Sequence, residues 1–190
     1  AKAKDELWTK LSSVVRDFWN TRVMGAGHDP ISDEDCDRVI MILDRNGRGN
    51  SPQTEAIARV MIPQGAWRRM LNEFHIDKEL GGVVNKILIA TGPEERAQAI
   101  NLLYELNKGR KNYVTGPSGN AIGALLAAFD PLNNLSLVSL SHRKKLLKFL
   151  DLDYPIDFEK ESIGRLIVQT NEMLREGLAA HGVSGSARTV

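Results

Sequence analysis

The chain has 190 residues, 42 % of them hydrophobic and 26 % charged, which supplies apolar material for a folded core and an ordinary charged surface. No apolar run approaches the roughly 18–20 residues of a membrane span, the start AKAKDELW lacks a secretory signal's apolar stretch, and the lone Cys36 excludes an internal disulfide, so a reducing cytoplasmic setting is expected. The net charge of +1 conceals a segregation: residues 108–148 sum to +6, against −2 before them and −3 after.

In chain order, the first helix is predicted from Asp5 to about Val23, with Leu7, Trp8, Leu11, Val14, Val15, Phe18 and Trp19 at helical spacing. Its two tryptophans read as core anchors. Ser32 is a good N-cap, and Asp33, Glu34 and Asp35 behind it suit a first turn better than a metal site. That helix turns Val39, Ile40, Ile42 and Leu43 inward and stops at Asn46-Gly47. Ser51-Pro52 opens another, running to about Met61. Gly65 to Phe74 and Asp77 to about Ala90 follow, the latter weakened by Gly81-Gly82. Thr91-Gly92-Pro93-Glu94 has capping-box spacing before a helix that buries Ala97, Ile100, Leu102, Leu103 and Leu106.

Beyond Gly109 the texture changes. Lys111–Thr115 and Leu135–Leu140 (LSLVSL) read as short strands on either side of a small-residue helix, Asn120 to Phe129. Ser141 is expected to cap HRKKLLKFL, with Leu146, Leu147, Phe149 and Leu150 inward and Arg143, Lys144 and Lys148 outward. A last helix runs from about Phe158 to Ala180, with Gly182 as its stop and a disordered tail from residue 183. The expected fold is mainly α: a single domain of about eight helices over residues 1–182, with lobes 1–108 and 109–182 and a small two-stranded element.

Catalytic chemistry finds little support. His28, His75, His142 and His181 are far apart, and none pairs at helical spacing with another His or Cys. The loop Gly109–Asn120 has glycines, basic residues and a following helix, all suited to an anion, but lacks the Gly-Lys-Ser/Thr of a nucleotide-binding loop. Asp157-Phe-Glu-Lys160 has a nuclease's residue types at the wrong spacing. No metal, cofactor or catalytic residue is assigned.

The basic excess remains. Lys108, Arg110 and Lys111 form one cluster, and Arg143, Lys144, Lys145 and Lys148, with His142, form a second, against the single acid Asp130. Such an excess is the footprint of an anionic partner, with nucleic acid the commonest candidate.

Residues 112–174 resemble a helical module of prokaryotic restriction-type and AAA-ATPase-associated proteins. The resemblance lies in Tyr113-Val-Thr-Gly-Pro-Ser-Gly119, Ala124-Leu-Leu126, Asp130-Pro131 through Val138-Ser-Leu-Ser-His-Arg-Lys-Lys145, and Gly164-Arg-Leu-Ile167 with Asn171. It implies an accessory or DNA-recognition region of a larger restriction protein whose motor or nuclease lies elsewhere.

The expected function is therefore a non-catalytic DNA-binding domain. Phosphate contacts are assigned to the two clusters, and base contacts to Asn112, Tyr113 or Asn120. The alternative is a protein-interaction module whose basic patch meets an acidic partner, or a second copy through Asp151, Asp153, Asp157, Glu159 and Glu161.

Overall fold

The computed structural model describes residues 2–44, 57–152 and 155–183. Among them lie eight α-helices: α1 (Lys2–Phe18), α2 (Asp33–Leu43), α3 (Gln64–Ile76), α4 (Lys78–Ile89), α5 (Pro93–Leu106), α6 (Asn120–Phe129), α7 (Leu140–Phe149) and α8 (Ile163–Ala180). The chain is mainly helical, and no sheet forms among the described residues, where one isolated bridge joins Asp44 to Ala58. No described helix is long and apolar enough to cross a membrane.

Helix α6 is the element the others surround. Every residue from 121 to 128 is buried, the pattern of a helix that is apolar on all sides. Its small side chains let neighbours approach: a Cβ on Gly123 would press into Val138. Its C-terminal carbonyl, Phe129 O, accepts from Arg16 (3.1 Å) and Ser12 (3.4 Å) of α1, so a cation meets the negative end of the helix. Helix α1 packs on both α2 and α6 and continues into a π-helical turn, Trp19–Val23.

The two aromatic anchors of that first segment are buried, and Trp19 donates its indole N–H to Asn85 Oδ1 at 3.0 Å. Leu7 and Val14, expected inward, lie on the exposed side. After α2, the predicted stop at Asn46-Gly47 and the start of the predicted 51–61 helix fall outside the described residues. The described end of that stretch is not helical: Ile57 N–H donates to Ile42 O, and Met61 sits at φ 60. Asp44 organises it. Its buried carboxylate accepts from Val60 N (3.2 Å), Ile62 N (3.0 Å) and Trp67 Nε1 (3.1 Å), stapling the segment to α3.

Capping follows local chemistry with two departures. Ser32, Asp77 and Ser162 accept from backbone N–H groups at the starts of α2, α4 and α8. The capping box expected at Thr91 does not form. Gly92 is the N-cap of α5, and Glu95 Oε2 accepts the Thr91 N–H instead. Ser141 lies inside α7, whose N-cap is Ser139. Leu102 of α5, also expected inward, is exposed.

Neither expected strand forms, because side chains occupy the backbone groups that a ladder would use. The Leu135 N–H donates to Asn171 Oδ1 (2.9 Å), Asn171 Nδ2 donates to Asn133 O (2.9 Å), and Arg143 Nε donates to Leu137 O (2.7 Å). In the other segment Asn112 Oδ1 accepts the Val114 N–H at 3.1 Å, closing a local turn. These two segments are therefore loops, the first closed on its own Asn112 and the second held by Asn171 of α8 and Arg143 of α7.

Two glycines set helix spacing. A Cβ on Gly164 of α8 would land on Ala97 O of α5, and one on Gly81 of α4 would land on Phe74 O of α3. Gly82, next in sequence, faces open space. Adjacent substitutions should therefore have opposite signs. Gly81→Ala is expected to lose about 1–3 kcal/mol through backbone overpacking, and Gly82→Ala to gain about 0.5–1 kcal/mol from helix propensity, as read by urea unfolding.

Candidate functional site

The two basic clusters have different fates. The first follows the end of α5, where Gly109 takes φ +81 to turn the chain. Asn107 and Asn112 exchange amide hydrogen bonds at 2.9 and 3.0 Å, and Asn107 Nδ2 also donates to Thr115 Oγ1. Asn112 additionally donates to Glu73 Oε2 at 3.3 Å. Arg110 donates to Asp77 Oδ2 (3.1 Å) and Glu73 Oε1 (3.3 Å), so its charge is matched by two acids of the α3–α4 corner. Those hydrogen bonds raise its pKa above the ordinary arginine value. Lys108, Lys111 and Tyr113 remain exposed.

The second cluster divides within one helix. Leu140, Arg143 and Leu147 are the buried residues of α7, spaced three and four apart on one face. Arg143 is 2 % exposed. Its guanidinium donates to Leu137 O (2.7 Å), Ile167 O (2.8 Å) and Thr170 Oγ1 (3.2 Å), tying α7 to the preceding loop and to α8. Burial lowers its pKa to about 10, which leaves it charged at neutral pH. The expectation that Arg143 contacts phosphate is overturned: the side chain is buried, and its Nε and Nη1 donate to two of the protein's own carbonyls and a threonine hydroxyl. The 3–4 spacing with Leu140 and Leu147 is the signal in the sequence that places it inward.

The reverse correction applies to Phe149, expected in the core and found 84 % exposed. His142, Lys144, Lys145 and Lys148 share the solvent side of α7 with it. Lys145 and Phe149 lie one turn apart, and Lys144 Nζ sits 5.3 Å from the centroid of the Phe158 ring, a cation–π contact. No described carboxylate forms an ion pair with Lys144, Lys145 or Lys148. A smaller cluster of Leu135, Leu147 and Leu174 supports the helix from beneath.

The Leu140 N–H donates to Ser118 O at 3.1 Å, so the start of α7 is pinned to the turn that follows the first cluster. Asn120, on the far side of that turn, has its Oδ1 buried without a hydrogen-bond partner, which withdraws it from base contact. Asn112 is likewise committed internally.

Elsewhere, Cys36 is fully buried, and burial with the nearby Asp33 raises its thiol pKa to about 11, so it holds no thiolate at neutral pH. Among the described residues no group of three or more His, Cys, Asp or Glu side chains is placed to hold a metal. A cleft of about 410 Å³ opens between α5 and α8, floored by Ala97, Ile156, Val168 and Met173 and edged by three acids, Glu94, Glu172 and Glu176, and by Arg165. Of the acids expected to meet a second copy, Asp153 lies outside the described residues.

Two measurements follow. Arg143→Ala should cost about 3 kcal/mol in urea unfolding by orphaning buried acceptors, and Arg143→Lys should not restore it, because one ammonium cannot span the three sites. The Asp77 carboxylate, bonded by Leu80 N–H and by Arg110, is held below its ordinary 3.8. Its stabilisation is thus present above that pH and lost as the pH falls through the lower folded-state value. Asp77→Asn should flatten the acid limb of a Tm-against-pH profile below about pH 4 while leaving its slope near neutrality unchanged.

No protein-family model matches this sequence, and comparisons with curated proteins and with solved structures give no match.

Proposed function

We propose that the chain is a non-catalytic nucleic-acid-binding domain whose phosphate contacts come from the solvent face of α7. The observation that carries this reading is the set Lys144, Lys145 and Lys148, which are exposed, close together and free of any ion pair with a described carboxylate. Cations so placed can be neutralised by a phosphate backbone without first breaking internal ion pairs. His142 is exposed on the same helix, and Lys108 and Lys111 are exposed in the loop before Ser118, whose carbonyl accepts the Leu140 N–H at the start of α7. Arg143 has a structural role, and Arg110 is largely matched by Asp77 and Glu73. The resemblance of residues 112–174 to a module of restriction-type proteins points the same way, toward a recognition or accessory part of a larger protein.

Binding through lysine–phosphate contacts is steeply salt-dependent and tolerant of sequence. Fluorescence anisotropy with labelled single-stranded and duplex DNA at low salt tests it. The Lys144→Gln, Lys145→Gln, Lys148→Gln triple variant should lose at least about tenfold in affinity, and its slope of log K against log salt should fall by about three. Absence of binding to both DNA forms, or an unchanged triple variant, would overturn the proposal.

The acid-edged cleft supports a second reading, a protein-interaction module that takes a basic, apolar-tipped segment. Salt-labile oligomers in light scattering, with no DNA bound, would favour it.

A further inference from the structure

The nucleic-acid reading leaves open which form is bound, and the side chains around the free lysines bear on that. The two asparagines expected to read base edges are withdrawn: Asn112 is locked to Asn107, Glu73 and the Val114 N–H, and the Asn120 Oδ1 acceptor is buried, which leaves His142 as the polar ring on the α7 face. What remains beside each cluster of lysines is an aromatic ring in solvent. Tyr113, two residues after Lys111, is 49 % exposed, and Phe149, next to Lys148 and one turn from Lys145, is 84 % exposed.

Phenylalanine has no hydrogen-bonding group to offer a base edge or a phosphate. Its ring acts on a nucleic acid through apolar contact and stacking, and in a duplex the π-faces are already stacked on one another, so reaching one costs the unstacking of a base step. In a single strand they are open, and cations that track the backbone beside an aromatic platform are the usual means of holding it. Resting on the nucleic-acid reading, we infer that the α7 face selects single-stranded nucleic acid, with Phe149 as the principal stacking platform and Tyr113 as a second. The preference would be for strand form and would be weak in sequence, because every base has a π-face.

The intact chain can be titrated against a labelled oligothymidylate of about 20 nucleotides and a labelled duplex of the same length at one salt concentration. The oligothymidylate should bind at least about tenfold more tightly. Phe149→Ala should weaken that complex by about tenfold, with the salt slope unchanged and duplex affinity unaltered, and Phe149→Trp should restore it. Tyr113→Ala should give a smaller loss in the same complex. Equal or tighter duplex binding, or a Phe149→Ala loss shared by both ligands, overturns the single-strand inference while leaving nucleic-acid binding intact. Failure to bind either ligand at low salt overturns both.

Discussion

A guanidinium buried with no carboxylate partner among the described residues fixes the half of the molecule that carries the candidate site. Arg143 brings a full charge into a region where desolvation is costly, and it is tolerated because Leu137 O, Ile167 O and Thr170 Oγ1 surround it with acceptors. Those three acceptors come from two other parts of the chain, so the bond set works as a rotational lock on α7. With Arg143 inward between Leu140 and Leu147, the helix must present His142, Lys145 and Phe149 on its opposite side. The same donor that removes one cation from the surface orients the others.

The +6 of residues 108–148 therefore divides into three kinds of charge. Arg143 is internal, Arg110 is matched across the α3–α4 corner by Glu73 and Asp77, and the lysines are exposed with no ion pair to a described carboxylate, Lys144 resting against the Phe158 ring. Only the last kind is available to an external anion. Helix α8 stands behind both candidate surfaces: Ile167 and Thr170 hold Arg143 on one side, while Val168 and Met173 floor the acid-edged cleft on another. One rigid element thus backs a basic face and an acidic one.

Helices were legible where the apolar pattern and the capping chemistry agreed. Asn120–Phe129 announces itself because every position after Asn120 is apolar or small, and Ser32 caps where local rules place it, whereas the last helix, expected from about Phe158, begins at Ile163 behind Ser162. LSLVSL misleads because alternation says only that one side is buried. It cannot reveal that Asn171 and Arg143, 36 and 6 residues away from the backbone groups they engage, replace a partner strand. The basic helix misleads for a related reason: residue type points arginine outward, although its spacing from two buried leucines puts it inward. Residue type likewise points Phe149 inward, although it lies in solvent. Matching Arg110 to Glu73 and Asp77 required contacts across 37 and 33 residues, which no local pattern contains.

The placement of the tryptophans has an optical consequence. All three, Trp8, Trp19 and Trp67, lie in the first 67 residues and are at most 2 % exposed, while α7 and α8 contain none. Trp19 and Trp67 are further held by indole N–H bonds to Asn85 and Asp44. Tryptophan emission therefore reports on the packing of the N-terminal helices, and no tryptophan lies on α7 to register a ligand there directly. A base stacked on Tyr113 would act on tyrosine emission instead, so silence in a tryptophan-selective titration would carry no information about binding.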